Sequence, residues 1–222
     1  MKGQVGSWWI VAMFPKRNQP SSHRMIQVTE NCLQLRGRLV HHYVLLDKAA
    51  ITLIDGGFLS HRPEQVIQLL QSIGRDPGEI KAILLTHGHI DHTLNLSRWL
   101  ELSDARLYCP RLDAVHVEGK FPYRGVNRIC GWMEACARRW LRYKPPKISD
   151  WVDPGDLLPW WGGLEVVPLP GHTLGHVGYY SATRELLFCG DLFANLYRIP
   201  SPPPPWFNVD HRETKLSIHR AL

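Results

Sequence analysis

The sequence lacks the features that mark a secreted or membrane-spanning protein. Its five cysteines are odd in number and form no CxxC pair, which favours reduced thiols and a cytosolic setting. No apolar run approaches the ~20 residues that a transmembrane helix needs. No internal repeat occurs, and the only low-complexity tract is the proline run at 202–205. With 222 residues, 44% of them hydrophobic, we expect one globular, cytoplasmic domain without a membrane partner.

The N-terminus departs from this pattern. An apolar stretch at residues 8–14 follows Lys2 and reaches the lower limit for the core of a signal peptide. No small-x-small cleavage site comes after it. We therefore expect residues 1–24 to be a poorly ordered extension, with Met25 as the natural start of the domain. A peripheral or exported form is the alternative.

The most informative stretch is His-Gly-His-Ile-Asp-His at residues 87–92. Four metal-capable side chains fall within six residues, directly after an apolar run at 82–85 that predicts a buried strand. A helix is expected to begin at Asp91. Two imidazoles two residues apart at a strand end can converge on one cation, and a carboxylate with a third imidazole can hold a second. The stretch therefore predicts a metal site.

Two further clusters occupy the same kind of position. His172 lies in a Pro-Gly-His-Thr segment after the apolar run 164–169, and Asp191 follows Cys189 and Gly190 after the run 186–188. In both, a glycine lets the backbone turn where a predicted strand ends. Three protein ligands and a water are usual at a catalytic zinc, so these clusters predict further ligands. Cys189 is expected to be a small buried core residue.

These motifs resemble those of the metallo-β-lactamase superfamily of metal-dependent hydrolases. The resemblance is carried by His87-x-His89-x-Asp91-His92, by Gly171-His172-Thr173, by Gly190-Asp191 and by the strand-turn at 53–57. It extends from about Met25 to the end of the chain. It implies an α+β fold over residues 25–222, a four-layer αββα sandwich with a two-metal site in the cleft at one edge of the sheets.

The resemblance also implies a role for each site residue. The first metal would be bound by His87, His89 and His172, the second by Asp91 and His92, and both by the bridging Asp191. Zinc is expected from the softness of the ligands, with iron and manganese as alternatives. Asp91 would also accept and return a proton in catalysis. Asp55 would accept a hydrogen bond that orients a ligand, and His176 would be buried and hydrogen-bonded.

One ligand of the family pattern is missing. Superfamily members normally supply a final His to the second metal from a turn after the last long helix. Here that helix is predicted to start at Asp210, and the chain stops inside it at Leu222. His211 and His219 are possible replacements, although the family geometry places this helix on the outer layer. We therefore expect a chain truncated relative to its gene, a weak second metal site and a tendency to self-associate.

A helical insertion at about 111–147 distinguishes the chain from the minimal fold. One predicted helical face carries apolar side chains: Val126, Ile129, Cys130, Met133, Cys136, Ala137, Trp140 and Leu141. The opposite face carries Arg128, Arg138, Arg139 and Arg142. Two interpretations stay open, a solvated basic face or a lid over the metals that attracts anionic or polar substrate. The second makes Arg138 and Arg139 substrate-binding candidates.

Asp191 also bears on the substrate. By resemblance, thioesterase (glyoxalase II-like) and lactonase branches carry Asp at this position, whereas true β-lactamases place Cys or Ser there. This favours attack by a metal-activated water on a small-molecule thioester, lactone or other ester. No glutathione-binding helical domain follows, and Ala194 stands where the best-known lactonases have a Tyr. Tyr197 and Arg198 are weak substitutes as substrate-binding residues.

Three other functions remain as alternatives. A β-lactam hydrolase would use the same metals. A non-catalytic metal-binding remnant draws support from the absent final ligand. A nuclease is suggested by the net charge of +6, but the chain has no room for the extra domain that such relatives generally carry. Nucleic acid is therefore not expected as a partner.

Overall fold

The computed structural model describes residues 9–10, 25–37, 39–48, 50–120, 122–194 and 200–222. Its strands are β1 (Trp9–Ile10), β2 (Met25–Thr29), β3 (Cys32–Arg36), β4 (His41–Leu46), β5 (Ile51–Ile54), β6 (Ile80–Leu84), β7 (Arg106–Pro110), β8 (Asp150–Val152), β9 (Leu157–Leu158), β10 (Leu164–Pro168), β11 (Val177–Ser181) and β12 (Leu186–Phe188). Its α-helices are α1 (Pro63–Ser72), α2 (Ile90–Thr93), α3 (Leu96–Leu102), α4 (Ala114–Val117), α5 (Arg128–Trp140) and α6 (His211–Ala221).

The strands form two sheets. Strands β2 to β8 make a seven-stranded sheet in sequence order, antiparallel from β2 to β5 and parallel from β5 to β8. The other sheet has the order β1-β12-β11-β10-β9, with β1 paired parallel to β12 at its edge. Since β5, β6 and β7 run parallel, their carboxyl ends meet at one edge of the first sheet.

Apolar side chains on both faces of the central strands create the layers. Ile54 and Leu84 pack between the two sheets, while their neighbours Leu53 and Ile83 pack on the opposite face against α1 and α3. A third apolar cluster joins the second sheet to α6 through Ile218. The molecule is therefore a helix-sheet-sheet-helix sandwich, which confirms the predicted αββα fold.

The helix predicted to begin at Asp91 is in fact two short helices, α2 and α3. Asn95 lies between them, and its Nδ2 donates to the backbone oxygens of Phe58 and His61, each at 3.0 Å. These bonds hold the chain outside a continuous helix at that point. The break separates α2 from α3, whose Leu96 and Trp99 pack on the sheet.

Helix α5 lies within residues 111–147, but it does not expose a basic face over a buried apolar one. Ile129, Met133 and Trp140 are exposed, whereas Glu134 is buried and Arg138 retains 10% of its side-chain exposure. The interpretation of Arg138 as part of a solvated face is therefore wrong. The Gly88 oxygen and the Ile90 N–H lie beneath the helix, and they bind Arg138 and Glu134.

Some sequence predictions fall outside the described residues. These are the behaviour of most of residues 1–24 and the positions of Tyr197 and Arg198. They stay predictions, as do the domain boundaries and the cellular location. In the part of the chain that is described, no helix combines the length and apolar character needed to cross a bilayer.

Candidate metal centre

The predicted site residues follow the ends of strands from both sheets. Asp55 comes directly after β5, and His87 and His89 lie in the segment after β6. His172 follows β10, and Asp191 follows β12. The backbone N–H of Val177 donates to the Thr86 oxygen at 3.0 Å and so ties the two sheets together at this edge. The fold therefore gathers four separate chain segments in one cleft.

Three buried histidines form the first group of potential ligands. One ring nitrogen each from His87, His89 and His172 lies within 4.8 Å of the other two. Their ring centroids are 4.6 to 4.9 Å apart, with the rings nearly perpendicular to one another. This convergence of imidazoles from both sheets could hold one cation.

Asp191 lies between this group and a second one. His87, His92 and Asp191 also have potential ligand atoms within 4.8 Å of one another. Asp191 Oδ1 is 3.1 Å from His92 Nε2, and its Oδ2 is 3.6 Å from His172 Nε2. One carboxylate thus directs an oxygen toward each side of the cleft.

The chemistry of these donors fits a divalent metal. The Nε2 atoms of His87, His89 and His172 are buried without a hydrogen-bond partner among the described residues. A buried polar atom without a partner is costly, and an ion at the centre of the group would satisfy all three. The three imidazoles are the type of ligand that suits zinc, iron or copper.

Burial keeps His87 and His89 in the protonation state that a metal requires. Desolvation lowers the pKa of both His87 and His89 well below the usual value, and the neighbouring imidazoles lower it further. At neutral pH these rings are uncharged, and each keeps a nitrogen lone pair. A metal ion binds the neutral form of histidine.

A family model identifies the superfamily to which the chain belongs. The family model described as "Metallo-beta-lactamase superfamily" matches residues 36–221. The chain belongs to this superfamily. The resemblance carried by the sequence motifs is thus confirmed.

Curated members of the superfamily resemble the chain to different extents. The "Probable metallo-hydrolase YybB" of Bacillus subtilis is 28% identical over 179 residues, which cover 78% of this chain and 71% of that protein. The hydroxyacylglutathione hydrolase of Aeromonas hydrophila is 35% identical over 115 residues, or 51% of this chain and 33% of the enzyme. The chain therefore matches about a third of the length of that enzyme.

Solved structures show the same superfamily fold. The metallo-beta-lactamase family protein TTHA1429 from Thermus thermophilus has a TM-score of 0.62 at 21% identity, covering 82% of this chain and 64% of that one. FEZ-1 metallo-beta-lactamase from Legionella gormanii has a TM-score of 0.62 at 15% identity, covering 86% and 71%. At these identities the likeness establishes the fold.

Hydrogen bonds to Nδ1 orient the rings of His87, His92 and His172. Asp55 Oδ2 accepts from His92 Nδ1 at 2.8 Å, and Asn208 Oδ1 accepts from His172 Nδ1 at 3.1 Å. The Thr86 hydroxyl donates to Asp55, which leaves its oxygen to accept from His87 Nδ1 at 3.0 Å. In each case Nε2 is the nitrogen left facing the cleft. Asp55 thus lies where the sequence analysis expects it, whereas Asn208 was not anticipated.

His176 supports Asp191 and has no free ring nitrogen for a metal. Its Nδ1 donates to the Leu169 oxygen at 2.9 Å, and its Nε2 accepts from the Asp191 backbone N–H at 3.1 Å. Burial lowers the pKa of His176 to about 3, which keeps Nε2 unprotonated and able to accept. Gly190 directly precedes Asp191 and has φ +51. A Cβ at this position would lie 2.6 Å from His176 Nε2.

Asp113 is a site residue that the sequence analysis missed. Its fully buried carboxylate accepts from the Gly88 N–H at 2.8 Å, the Thr173 hydroxyl at 2.7 Å and the Gly175 N–H at 2.8 Å. It thereby joins the His87–His89 segment to the segment that carries His172. A signal did exist, because Asp113 lies just beyond β7 at the same edge as the ligands.

Two charged side chains of helix α5 form hydrogen bonds with the backbone of the segment that carries His87 and His89. Glu134 Oε1 accepts from the Ile90 N–H at 2.6 Å and from Arg138 at 2.8 Å, and Arg138 also donates to the Gly88 oxygen at 3.1 Å. His89, His116 and Glu134 form a third group that could bind a metal. Because Glu134 already accepts two hydrogen bonds, we assign it a positioning role.

Other candidate residues lie outside these groups. Asp91 is partly buried; burial raises its pKa, the charge of His92 opposes this shift and the charge of Asp191 adds to it. His211 contacts Asn208 rather than the cleft, and His219 is exposed on α6. Arg139 is also exposed. The chain is thus a member of a metallo-hydrolase superfamily with His and Asp groups for a divalent metal, whereas each residue's role stays a prediction.

Proposed function

We propose that the chain is a metal-dependent hydrolase that uses two zinc ions to cleave a thioester, lactone or other ester. The position of Asp191 carries the proposal. Its two oxygens face His92 on one side and His172 on the other, at 3.1 and 3.6 Å. A carboxylate in this position suits a ligand shared by two cations a few ångströms apart, the arrangement of many hydrolytic sites.

Each proposed metal has its own set of protein ligands. His87, His89 and His172 would hold the first, since their ligand atoms form one group. His92 would hold the second, with Asp191 common to both metals, and Asp91 is added to the second set on the superfamily pattern. A divalent metal in such a site acts as a Lewis acid, which polarises the scissile carbonyl and lowers the pKa of water.

The protein's own groups would position the reactants and move the proton. Asp91 is the proposed proton carrier, because the resemblance to the superfamily gives it this role and burial raises the pKa of its carboxyl. It would take a proton from the attacking water and deliver it to the leaving group. Asp55 would hold His92 in one orientation throughout, since its bond to Nδ1 fixes the ring.

The choice of substrate class rests on Asp191 and on the relatives. A carboxylate stands where β-lactamases are expected to place Cys or Ser, and several similar proteins are named hydroxyacylglutathione hydrolases. Both point toward a small-molecule ester or thioester. Arg139, Tyr197 and Arg198 remain the candidates for binding the rest of the substrate.

A substrate panel assayed with and without metal tests this proposal. We expect the zinc-loaded protein to hydrolyse a thioester or a lactone faster than a β-lactam, to lose activity on chelation and to regain it with zinc. Asp191→Asn should abolish turnover, while Asp153→Asn, a change at an exposed Arg-paired carboxylate, should not. Unchanged activity after metal removal, or preference for a β-lactam, would refute it. Metal binding without turnover on any substrate would favour the non-catalytic alternative.

A further inference from the structure

Helix α5 has its polar side turned inward and its apolar side turned outward. Amphipathic helices normally bury the apolar side against a core. Here the inner side is fixed to the metal-binding segment by Glu134 and Arg138, which bond to the Ile90 N–H and the Gly88 oxygen. Those bonds leave a continuous outer surface of large apolar side chains, which we call the α5 apolar face: Val126, Ile129, Trp132, Met133 and Trp140, each between 55% and 81% exposed.

The net positive charge of the whole protein is concentrated in the chain segment that carries this face. Residues 124–147 contain seven Lys or Arg and one Glu, a net charge of +6, which equals the net charge of the chain. The remainder of the sequence therefore carries no net charge. The one acidic residue of this segment, Glu134, is buried beneath the helix. No described acidic group forms an ion pair with Arg139 or Arg142.

We propose that the α5 apolar face docks on the surface of an anionic lipid bilayer. Tryptophan favours the boundary between headgroups and acyl chains, and aliphatic side chains insert just below it. Lysine and arginine next to such a face bind anionic headgroups, each contributing about 1 kcal/mol. The lack of a membrane-spanning helix among the described residues does not bear on this mode of binding, in which a helix lies in the interface plane.

Two other occupants fit the face less well. A second copy of the chain would bring its own α5 cations against these, and like charges across an interface oppose association. A nucleic acid would be held by the cations and could stack on Trp132 and Trp140, but Ile129 and Met133 offer bases no stacking surface. Lipid satisfies both the charge and the aliphatic content of the face.

The proposal is tested by sedimenting the full chain with vesicles. We expect binding to phosphatidylcholine vesicles that contain phosphatidylglycerol, weakened by salt, and little binding to phosphatidylcholine alone. This comparison needs no variant. The double variant Ile129→Ser/Met133→Ser, and the double variant Arg139→Glu/Arg142→Glu, should each lower binding by roughly tenfold or more.

Matched controls change exposed residues elsewhere in the same way. Leu59→Ser/Leu157→Ser removes two exposed apolar side chains, and Lys81→Glu/Lys215→Glu reverses two exposed charges. Both should bind vesicles like the unaltered protein. Failure of the unaltered protein to bind anionic vesicles would overturn the proposal, as would equal losses in α5 and control variants. Salt-sensitive binding to RNA without vesicle binding, or a dimer dispersed by the α5 changes alone, would also overturn it.

Discussion

The metal-facing nitrogen of three site histidines is decided by the residue that contacts the opposite nitrogen. Thr86, Asp55 and Asn208 each take Nδ1, so that His87, His92 and His172 direct Nε2 into the cleft. Without such a partner, an imidazole can rotate or adopt the other tautomer, and metal binding then carries the cost of fixing it. These three contacts are therefore expected to contribute to metal affinity in addition to the ligands themselves.

Asn208→Ala tests this role on a residue that no sequence pattern indicates. Loss of the Oδ1 contact should lower zinc affinity of the first group by about 10–100-fold, since His172 loses the bond that orients it. A competition titration with a chromophoric chelator measures the affinity. Asn31→Ala, an exposed turn position, should leave the affinity unchanged. Equal affinities for the two variants would show that His172 needs no such partner.

The ligands themselves could be predicted from the sequence, whereas their supports could be predicted only in part. His87, His89, Asp91 and His92 are close in sequence and follow a recognisable strand. Asp55 also belongs to a known strand-turn. Asn208 lies 36 residues from His172 in an irregular segment, and only the folded chain brings the two together. Its neighbourhood has no periodicity from which the contact could be inferred.

At the scale of elements, α5 shows why amphipathic pattern does not determine orientation. The sequence predicts an apolar and a basic face for this helix, but the pattern does not determine which of them faces inward. The Gly88 oxygen and the Ile90 N–H lie beneath the helix, and Arg138 and Glu134 satisfy them. Burying apolar side chains there would leave those backbone groups without partners.

Comparison of Arg138→Ala with Arg139→Ala tests this orientation. Removing Arg138 leaves Glu134 buried without its cation, so we expect a loss of about 3 kcal/mol in the free energy of unfolding. Removing the exposed Arg139 next to it should change stability by less than about 0.5 kcal/mol. Urea unfolding followed by circular dichroism measures both. Similar losses from the two substitutions would mean that Arg138 is not engaged as described.

Asp113 connects two ligand-bearing segments and offers a second test at this scale. All three of its partners are donors, and an amide has one oxygen to offer them in place of two. Asp113→Asn should therefore leave one buried donor unpaired and lower zinc affinity by about tenfold or more. Asp104→Asn, at an exposed position, is the matched control. Wild-type affinity in Asp113→Asn would rule out a positioning role for Asp113.

For the molecule as a whole, the layer order could be predicted from the resemblance of the site motifs to the superfamily, and apolar runs predict several of its strands. The strands β5, β6 and β10 form where expected. Strand β11 stood outside the predicted strands, since Gly178 interrupts its apolar run. In the fold that glycine is needed, because a Cβ would lie 2.8 Å from Leu169 Cδ1. Glycine is required at position 178 by the packing between strands, and this requirement produces no pattern in the neighbouring sequence.

We propose that histidines from the two sheets form one metal site on which hydrolysis depends. The decisive measurement is the zinc content of purified His172→Ala, alongside its hydrolysis of the best thioester or lactone substrate. We expect loss of at least one bound zinc per chain together with activity, because only two imidazoles of the first group remain. His219→Ala, on exposed α6 surface, should keep both. Wild-type zinc content and turnover in His172→Ala would mean that the two sheets do not share such a site.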